Sequence, residues 1–105
     1  MKNNTIILIG FMGTGKSTVG RLLAEKLGVE FVDADRQIEQ DQGMSIPDMF
    51  RQWGEPGFRA AETETLKRLL GEGNRVIATG GGAFLAEESR KAMKEGGTVV
   101  ALKAS

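Results

Sequence analysis

Residues 10–17 have the composition and spacing of a phosphate-binding loop. Their sequence, GFMGTGKS, matches the pattern G-x-x-x-x-G-K-[ST] at every fixed position, with a predicted strand before it and a predicted helix after it. Backbone N–H groups in such a loop surround phosphate oxygens, and the N-terminus of the following helix adds positive charge. We expect Lys16 to reach the β- and γ-phosphates of a nucleotide and the Ser17 hydroxyl to bind Mg²⁺. The predicted nucleotide-contacting residues are Gly13, Thr14, Gly15, Lys16, Ser17 and Thr18.

Two aspartates follow the second predicted strand, in the segment FVDAD of residues 31–35. On an extended segment Asp33 and Asp35 point to the same side, at the strand end where open α/β sheets bind ligands. We expect Asp33 to hold Mg²⁺, directly or through water, and Asp35 to bind substrate hydroxyls and accept the proton of the attacking one. The alternative is that Asp35 only caps a helix starting at Arg36. Because Thr79 stands where many phosphate-loop enzymes keep a metal-binding carboxylate, Asp33 is favoured for the metal.

An arginine stands in an acidic helical stretch, GEPGFRAAE, at residues 54–62. Arg59 and Glu62 are separated by three residues, so they are neighbours on the surface of a helix. One interpretation is a solvated ion pair worth roughly 0.2–0.5 kcal/mol. The other is that Glu62 orients the Arg59 guanidinium so that it binds a carboxylate. These residues taken alone favour the solvated ion pair.

Three consecutive glycines follow the third predicted strand, at residues 80–82. Glycine loses more backbone entropy on folding than any other residue, so three in a row need a reason. A ligand that lies against bare backbone, bonded to its N–H groups, would be such a reason. The alternative is a flexible loop without a binding function.

The composition limits the chemistry that this chain can perform. Its 105 residues contain no His and no Cys, which excludes Ser-His-Asp and Cys-His catalysis and metals bound by His or thiolate. A general base must be a carboxylate or a lysine, and a bound metal must be a hard ion held by oxygen, such as Mg²⁺. A formal net charge of 0 argues against a nucleic-acid partner, and no apolar stretch is long enough to cross a membrane. We expect a cytoplasmic protein.

The predicted elements alternate between strand and helix, in the order typical of an α/β fold. The first strand is a continuous apolar run of the kind that is buried on both faces, and the segments between the strands have helical periodicity. The predicted strands are residues 5–9, 30–33, 75–79 and 98–102, and the predicted helices are residues 16–27, 36–42, 45–54, 56–70 and 87–95. We therefore expect one domain, residues 1–105, with helices on both faces of a parallel sheet.

Two helices have clear apolar faces. The predicted inward-facing residues are Val19, Leu22, Leu23 and Leu27 in the first helix and Phe58, Ala61, Leu66, Leu69 and Leu70 in the helix of residues 56–70. Ser45 is predicted to be the N-cap of the helix before the latter, with Pro47 and Asp48 in its first turn.

Taken together and in this order, the motifs between residues 6 and 84 resemble those of shikimate kinase. Many families share the phosphate loop, and gluconate kinases share a similar D-x-D, whereas GExxFRxxE and TGGG are far more specific. The resemblance implies a P-loop three-layer α/β/α fold with a parallel sheet, of whose expected five strands this chain supplies four. It also implies ATP-dependent phosphorylation of the 3-hydroxyl of shikimate in aromatic amino-acid biosynthesis, with Mg²⁺ as cofactor.

The resemblance assigns a function to each motif residue. Lys16 and Asp35 match catalytic residues, and Ser17 and Asp33 match the magnesium side of the site. Arg59 matches an arginine that binds the carboxylate of shikimate. The substrate-binding residues that it implies are Asp35, Arg59, Gly80, Gly81, Gly82, Phe50, Phe58 and Glu62.

The pattern of the family extends beyond what this sequence matches. A lid arginine, a later shikimate-binding arginine, an adenine loop, a fifth strand and a last helix have no counterpart, since Arg75 and Arg90 do not match those arginines. We expect residues 1–105 to be an N-terminal part with exposed apolar sheet surface and little or no turnover, and the complete enzyme to be a monomer. Two alternatives stay open, namely another small-molecule kinase, for gluconate or a nucleoside monophosphate, and a non-catalytic nucleotide-binding module.

Overall fold

The computed structural model describes residues 5–10, 16–80 and 87–101, without the side chains of Lys16 and Ser17. Four parallel strands within these residues form one sheet in the order β2-β3-β1-β4. The strands are β1 (Ile6–Gly10), β2 (Glu30–Asp33), β3 (Arg75–Gly80) and β4 (Thr98–Ala101). Each begins within one residue of its predicted start, which confirms the parallel sheet; Leu102, predicted to end β4, lies outside the described residues.

The helices of the described residues are α1 (Lys16–Leu27), α2 (Ala34–Gln42), α3 (Ile46–Gly71) and α4 (Glu87–Gly96). The two helices predicted between residues 45 and 70 form one helical run, α3, which bends at Gly54. Gly54 has φ 73° and ψ 179°, a conformation that glycine adopts without the steric cost of a side chain. Ser45 is the N-cap of α3, as predicted, and its Oγ accepts a hydrogen bond from the Asp48 N–H at 3.3 Å. No helix of these residues is long and apolar enough to span a lipid bilayer.

Helices cover both faces of the sheet, because alternate residues of the central strands point to opposite sides. Leu8 and Val76 pack against Ala24 of α1 on one face. The buried core on the other face, against α3 and α4, consists of Ile7, Ile9, Val32, Ala34, Leu66, Leu69, Leu70, Ile77 and Met93. This is the three-layer α/β/α arrangement that the sequence predicts. The five residues of α3 predicted to face inward are all buried, namely Phe58, Ala61, Leu66, Leu69 and Leu70.

The prediction that α1 buries the face with Val19, Leu22, Leu23 and Leu27 is wrong. Val19, Leu22 and Leu27 are 41%, 58% and 48% exposed, and only Leu23 is half-buried. The helix instead turns Gly20 toward the sheet, so close to β2 that an added Cβ would lie 2.3 Å from Cε1 of Phe31. Small residues let α1 approach the strands, and this close contact determines which face is buried.

Gly97, between α4 and β4, is predicted to tolerate no side chain. A Cβ on Gly97 would lie 2.5 Å from the carbonyl oxygen of Thr5, which is backbone and already accepts a hydrogen bond from the Thr98 N–H at 2.9 Å. We expect Gly97→Ala to lower the free energy of unfolding by about 1–3 kcal/mol, measured by urea denaturation. Gly71→Ala is the matched control, because its added Cβ would meet nothing within 4 Å among the described residues beyond its chain neighbours and its own helix. Equal effects of the two substitutions would contradict the steric explanation.

Candidate active site

The carboxyl ends of β1, β2 and β3 meet at one edge of the sheet, where open α/β folds bind ligands. Gly10 at the end of β1 pairs with Gly80 at the end of β3, and Asp33 at the end of β2 pairs with Ala78. This arrangement brings the start of the predicted phosphate loop, the start of the triple glycine and the first aspartate to the same edge.

For several predicted site residues the structure does not describe the position or the side chain. Gly13, Thr14, Gly15, Gly81 and Gly82 lie outside the described residues. Lys16 and Ser17 are described as backbone of the first turn of α1, and Thr18, beside them, is exposed. The nucleotide-binding assignments therefore remain predictions from the sequence.

Asp33 and Asp35 do not lie on one extended segment, so that part of the prediction is wrong. Helix α2 begins at Ala34 rather than at Arg36, which places Asp35 in the first helical turn. The N-cap is Asp33, with φ −90° and ψ 111°, and its Oδ1 accepts hydrogen bonds from the N–H groups of Asp35 and Arg36 at 3.1 and 3.4 Å. The competing interpretation, in which Asp35 is the cap, is wrong as well.

Arg59 and Glu62 form an ion pair that is not solvated. Nη1 of Arg59 donates a hydrogen bond to Oε1 of Glu62 at 2.8 Å. The side chain of Glu62 is 3% exposed and that of Arg59 is 30% exposed. This bond uses one of the five N–H donors of the guanidinium, and a planar guanidinium binds carboxylates through pairs of such donors. The structure therefore favours the interpretation in which Glu62 orients Arg59.

The charges of Arg59 and Asp35 both act on the pKa of Glu62. Burial raises the pKa of Glu62, the hydrogen bond and charge of Arg59 lower it, and the charge of Asp35 raises it, with a net upward shift. Helices α2 and α3 pack against each other through Ile38, Phe58 and Ala61. Asp35 in the first turn of α2 and the Arg59–Glu62 pair of α3 therefore form one cluster of charges on two packed helices.

Two stacked phenylalanines flank this cluster. The ring centroids of Phe50 and Phe58 lie 4.7 Å apart, and the Arg59 guanidinium lies over the Phe58 ring, 5.2 Å from its centroid. Phe58 is buried, whereas Phe50 is 39% exposed. The bend at Gly54 lies between the two rings, so it allows both halves of α3 to contribute to one aromatic wall. A guanidinium beside an apolar aromatic wall suits a small ligand that carries an acid group.

A family model for shikimate kinase matches residues 12–105 of the chain. The chain belongs to the shikimate kinase family. It is 50% identical over 102 residues to shikimate kinase of Rhizobium leguminosarum bv. trifolii, covering 97% of this chain and 52% of that protein. It superposes with a TM-score of 0.92 on shikimate kinase from Acinetobacter baumannii in complex with shikimate, at 47% identity and over 98% of this chain and 57% of that one.

The chain spans about half the length of the curated shikimate kinases that it matches. A gluconokinase from Sinorhizobium meliloti shares the fold at a TM-score of 0.59 and 25% identity, covering 98% of this chain and 59% of that one. The similarity to shikimate kinase and that to gluconokinase both support the P-loop α/β/α fold expected from the motifs. The chain is more similar to the shikimate kinase than to the gluconokinase, in sequence identity and in TM-score.

Sequence reasoning missed two contacts between the helices around the candidate site. Oε2 of Glu39 accepts a hydrogen bond from the Ile46 N–H at 2.8 Å, so Glu39 of α2 caps α3 together with Ser45. The hydroxyls of Thr63 and Ser89 lie 2.7 Å apart and link α3 to α4. No local pattern marks either pair, because the partners are 7 and 26 residues apart in the sequence.

The raised pKa of Glu62 predicts a specific pH dependence of stability. Since the folded state binds a proton more tightly than the unfolded state, the free energy of unfolding is expected to fall as the pH rises from about 4.5 through the raised pKa. Glu62→Gln cannot titrate, so its stability relative to the wild type is expected to increase over this range. Urea denaturation from about pH 4 to about pH 8 measures the difference. Glu64→Gln removes an exposed carboxylate of the same helix and is the control; a flat difference curve for Glu62→Gln would refute the prediction.

Proposed function

We propose that this chain provides the phosphate loop and the shikimate-binding cluster of a shikimate kinase, which transfers the γ-phosphate of ATP to the 3-hydroxyl of shikimate. The observation that carries the proposal is the Arg59–Glu62 pair, in which a buried carboxylate holds a half-buried guanidinium at 2.8 Å. An arginine held in this way is suited to bind a substrate carboxylate with two parallel hydrogen bonds.

The proposed reaction is an in-line transfer between two bound substrates. Residues 10–17 and Lys16 hold the phosphates of ATP, and Arg59, Phe50 and the glycines hold shikimate. Asp35 accepts the proton of the 3-hydroxyl while the new O–P bond forms, and the bond between the γ-phosphorus and the bridging oxygen breaks to release ADP. The position of Asp35 supports this proposal, because it stands in the first turn of α2, directly after the carboxyl end of β2.

Mg²⁺ fits the donors that the chain offers beside the phosphate loop. The hydroxyl of Ser17 and the carboxylate of Asp33 are hard oxygen donors of the kind that this ion prefers. Asp33 uses Oδ1 for capping, and a carboxylate has about four acceptor sites, so it retains acceptors for a metal-bound water. Within residues 5–10, 16–80 and 87–101, no group of three or more acidic, His or Cys side chains forms a metal site by itself. When bound with ATP, the ion offsets negative charge on the phosphates.

Two alternatives are weaker. Gluconate kinases share the fold and the phosphate loop, but an arginine oriented by a buried glutamate and followed by a triple glycine is not part of that resemblance. A non-catalytic nucleotide-binding module would have no need of Asp35, Arg59 and Glu62 in one cluster. We also propose that the reaction takes place in the cytoplasm, where ATP is supplied, and that the complete enzyme is a monomer.

A fluorescence titration of Trp53 tests the proposed substrate. Trp53 is the only tryptophan, is 41% exposed, and precedes Arg59 on α3. We expect a saturable response to shikimate, with and without MgADP, and none to gluconate. A response to gluconate but not to shikimate, in a chain shown by circular dichroism to be folded, would reassign the acceptor.

A further inference from the structure

A buried pair of hydroxyl groups joins α3 to α4, at the residue that follows Glu62. Oγ1 of Thr63 and Oγ of Ser89 lie 2.7 Å apart, with either atom able to donate the hydrogen bond. Thr63 is 7% exposed and Ser89 is fully buried. Neither residue belongs to the motifs that carry the family resemblance.

Thr63 lies in the turn of α3 that carries the binding groups. It follows Glu62 directly, and Arg59 stands one helical turn before it. Residues adjacent in a helix point about 100° apart, so the direction of Thr63 toward α4 determines the direction of Glu62. A rotation of α3 that moved Arg59 and Glu62 would therefore separate Thr63 from Ser89.

The other buried contacts between these helices do not fix this rotation as strictly. Leu66, Leu69 and Met93 form the apolar core at this interface, and apolar contacts have no preferred direction. A hydroxyl pair has a preferred distance and angle, and each hydroxyl loses its partner inside the protein if the helices slide. Misplacement of a binding group by about 1 Å is enough to lower activity by about a hundredfold.

We propose that Thr63 and Ser89 are positioning residues, which hold the Arg59–Glu62 turn in the orientation that binds the carboxylate of shikimate. This inference rests on the proposed function. It predicts that the hydroxyl pair contributes to shikimate affinity through Arg59 and Glu62, and that it contributes little to nucleotide binding at the phosphate loop.

Four variants separate positioning from stability. Thr63→Val keeps the shape of the side chain and removes the hydroxyl, whereas Thr63→Ser keeps the hydroxyl. The double variant Thr63→Val/Ser89→Ala removes both partners, so no buried hydroxyl is left unpaired and stability is expected to stay close to that of the wild type. Thr65→Val is the matched control, because Thr65 lies on the same helix and donates a hydrogen bond to Oδ2 of Asp41 in α2 at 3.0 Å.

The dissociation constant for shikimate is measured by Trp53 fluorescence, that for MgADP by calorimetry, and stability by thermal unfolding. We expect about fivefold or greater weakening of shikimate binding in Thr63→Val and in the double variant, with unchanged MgADP binding. Thr63→Ser and Thr65→Val are expected to bind shikimate like the wild type.

The outcomes distinguish this inference from the proposed function. A double variant that binds shikimate with wild-type affinity would overturn the inference and leave the proposed function intact. An equal loss in Thr65→Val would also overturn it, because any loosening of α3 would then have the same effect. A folded wild-type chain that does not respond to shikimate would overturn the proposed function and this inference with it.

Discussion

Replacement of Arg59 by alanine is expected to weaken shikimate binding by about a hundredfold. The substitution removes the cation that we propose binds the substrate carboxylate. It also leaves Glu62, whose side chain is 3% exposed, as a buried carboxylate without its 2.8 Å partner. An unpaired buried charge disfavours a second carboxylate nearby. The substitution therefore weakens shikimate binding both by removing the cation and by leaving Glu62 to repel the substrate carboxylate.

Two further arginine variants show whether the loss is specific to the guanidinium of Arg59. Arg59→Lys keeps the positive charge but not the planar donor pair, and about a tenfold loss is expected. Arg51→Ala removes an arginine from the same helix whose side chain is 75% exposed and paired with Asp48, and its affinity for shikimate is expected to be unchanged. The titration of Trp53 reports all three dissociation constants. A similar loss in Arg51→Ala would indicate a general effect on α3 and contradict a specific contact with Arg59.

The strands of this fold are predictable from the sequence because glycine and apolar residues mark them. Three of the strands are short runs with glycine at one end, since β1 ends at Gly10, β3 ends at Gly80 and β4 follows Gly97. The exception is β2, whose sequence EFVD is charged at both ends. Their parallel pairing follows from the helices between them, since a parallel strand needs a crossover. The strand order is a different matter: it depends on how the helices cover the sheet, which local patterns do not describe.

The buried face of α1 is less predictable because two criteria conflict. The large apolar residues of α1 fall on one helical face, which satisfies the usual periodicity. Gly20 lies on another face and allows the backbone of the helix to approach Phe31. Close packing against the strands determines the orientation of α1, and the face with Val19, Leu22 and Leu27 is left largely exposed. The pattern of hydrophobic residues alone does not indicate that close packing at Gly20 outweighs burial of the large apolar residues.

The candidate site is predictable in its members but not in its geometry. Arg59 and Glu62 are neighbours by helical spacing, whereas the burial of Glu62 depends on elements distant in the sequence. The predicted start of α2 is two residues late because both aspartates of the D-x-D segment suit an N-cap, and the structure uses Asp33. The packing of α2 against α3, which brings Asp35 and Glu62 into one cluster, joins segments distant in the sequence and has no signature in either of them.

Replacement of Asp35 by asparagine is expected to lower the turnover of shikimate by about 10²–10⁴-fold while weakening its binding much less. The amide of asparagine keeps an acceptor for substrate hydroxyls, but it does not take up the proton of the attacking hydroxyl. Turnover is measured as ADP release with MgATP in the full-length protein. Asp48→Asn is the control, because Asp48 is also an acidic residue in the first turn of a helix, and it pairs with Arg51.

A second measurement shows whether the loss comes from the cluster itself. The charge of Asp35 raises the pKa of Glu62, so Asp35→Asn is expected to lower that pKa, and carbon-detected carboxyl titration by NMR measures it. A lower pKa together with slow turnover would place Asp35 in the cluster and in the chemistry. A lower pKa with wild-type turnover would leave Asp35 as a neighbour of Glu62 and require another base for the 3-hydroxyl. Because the chain contains no His or Cys, that base would have to be another carboxylate or a lysine, and Asp33 at the same sheet edge would be the first to test.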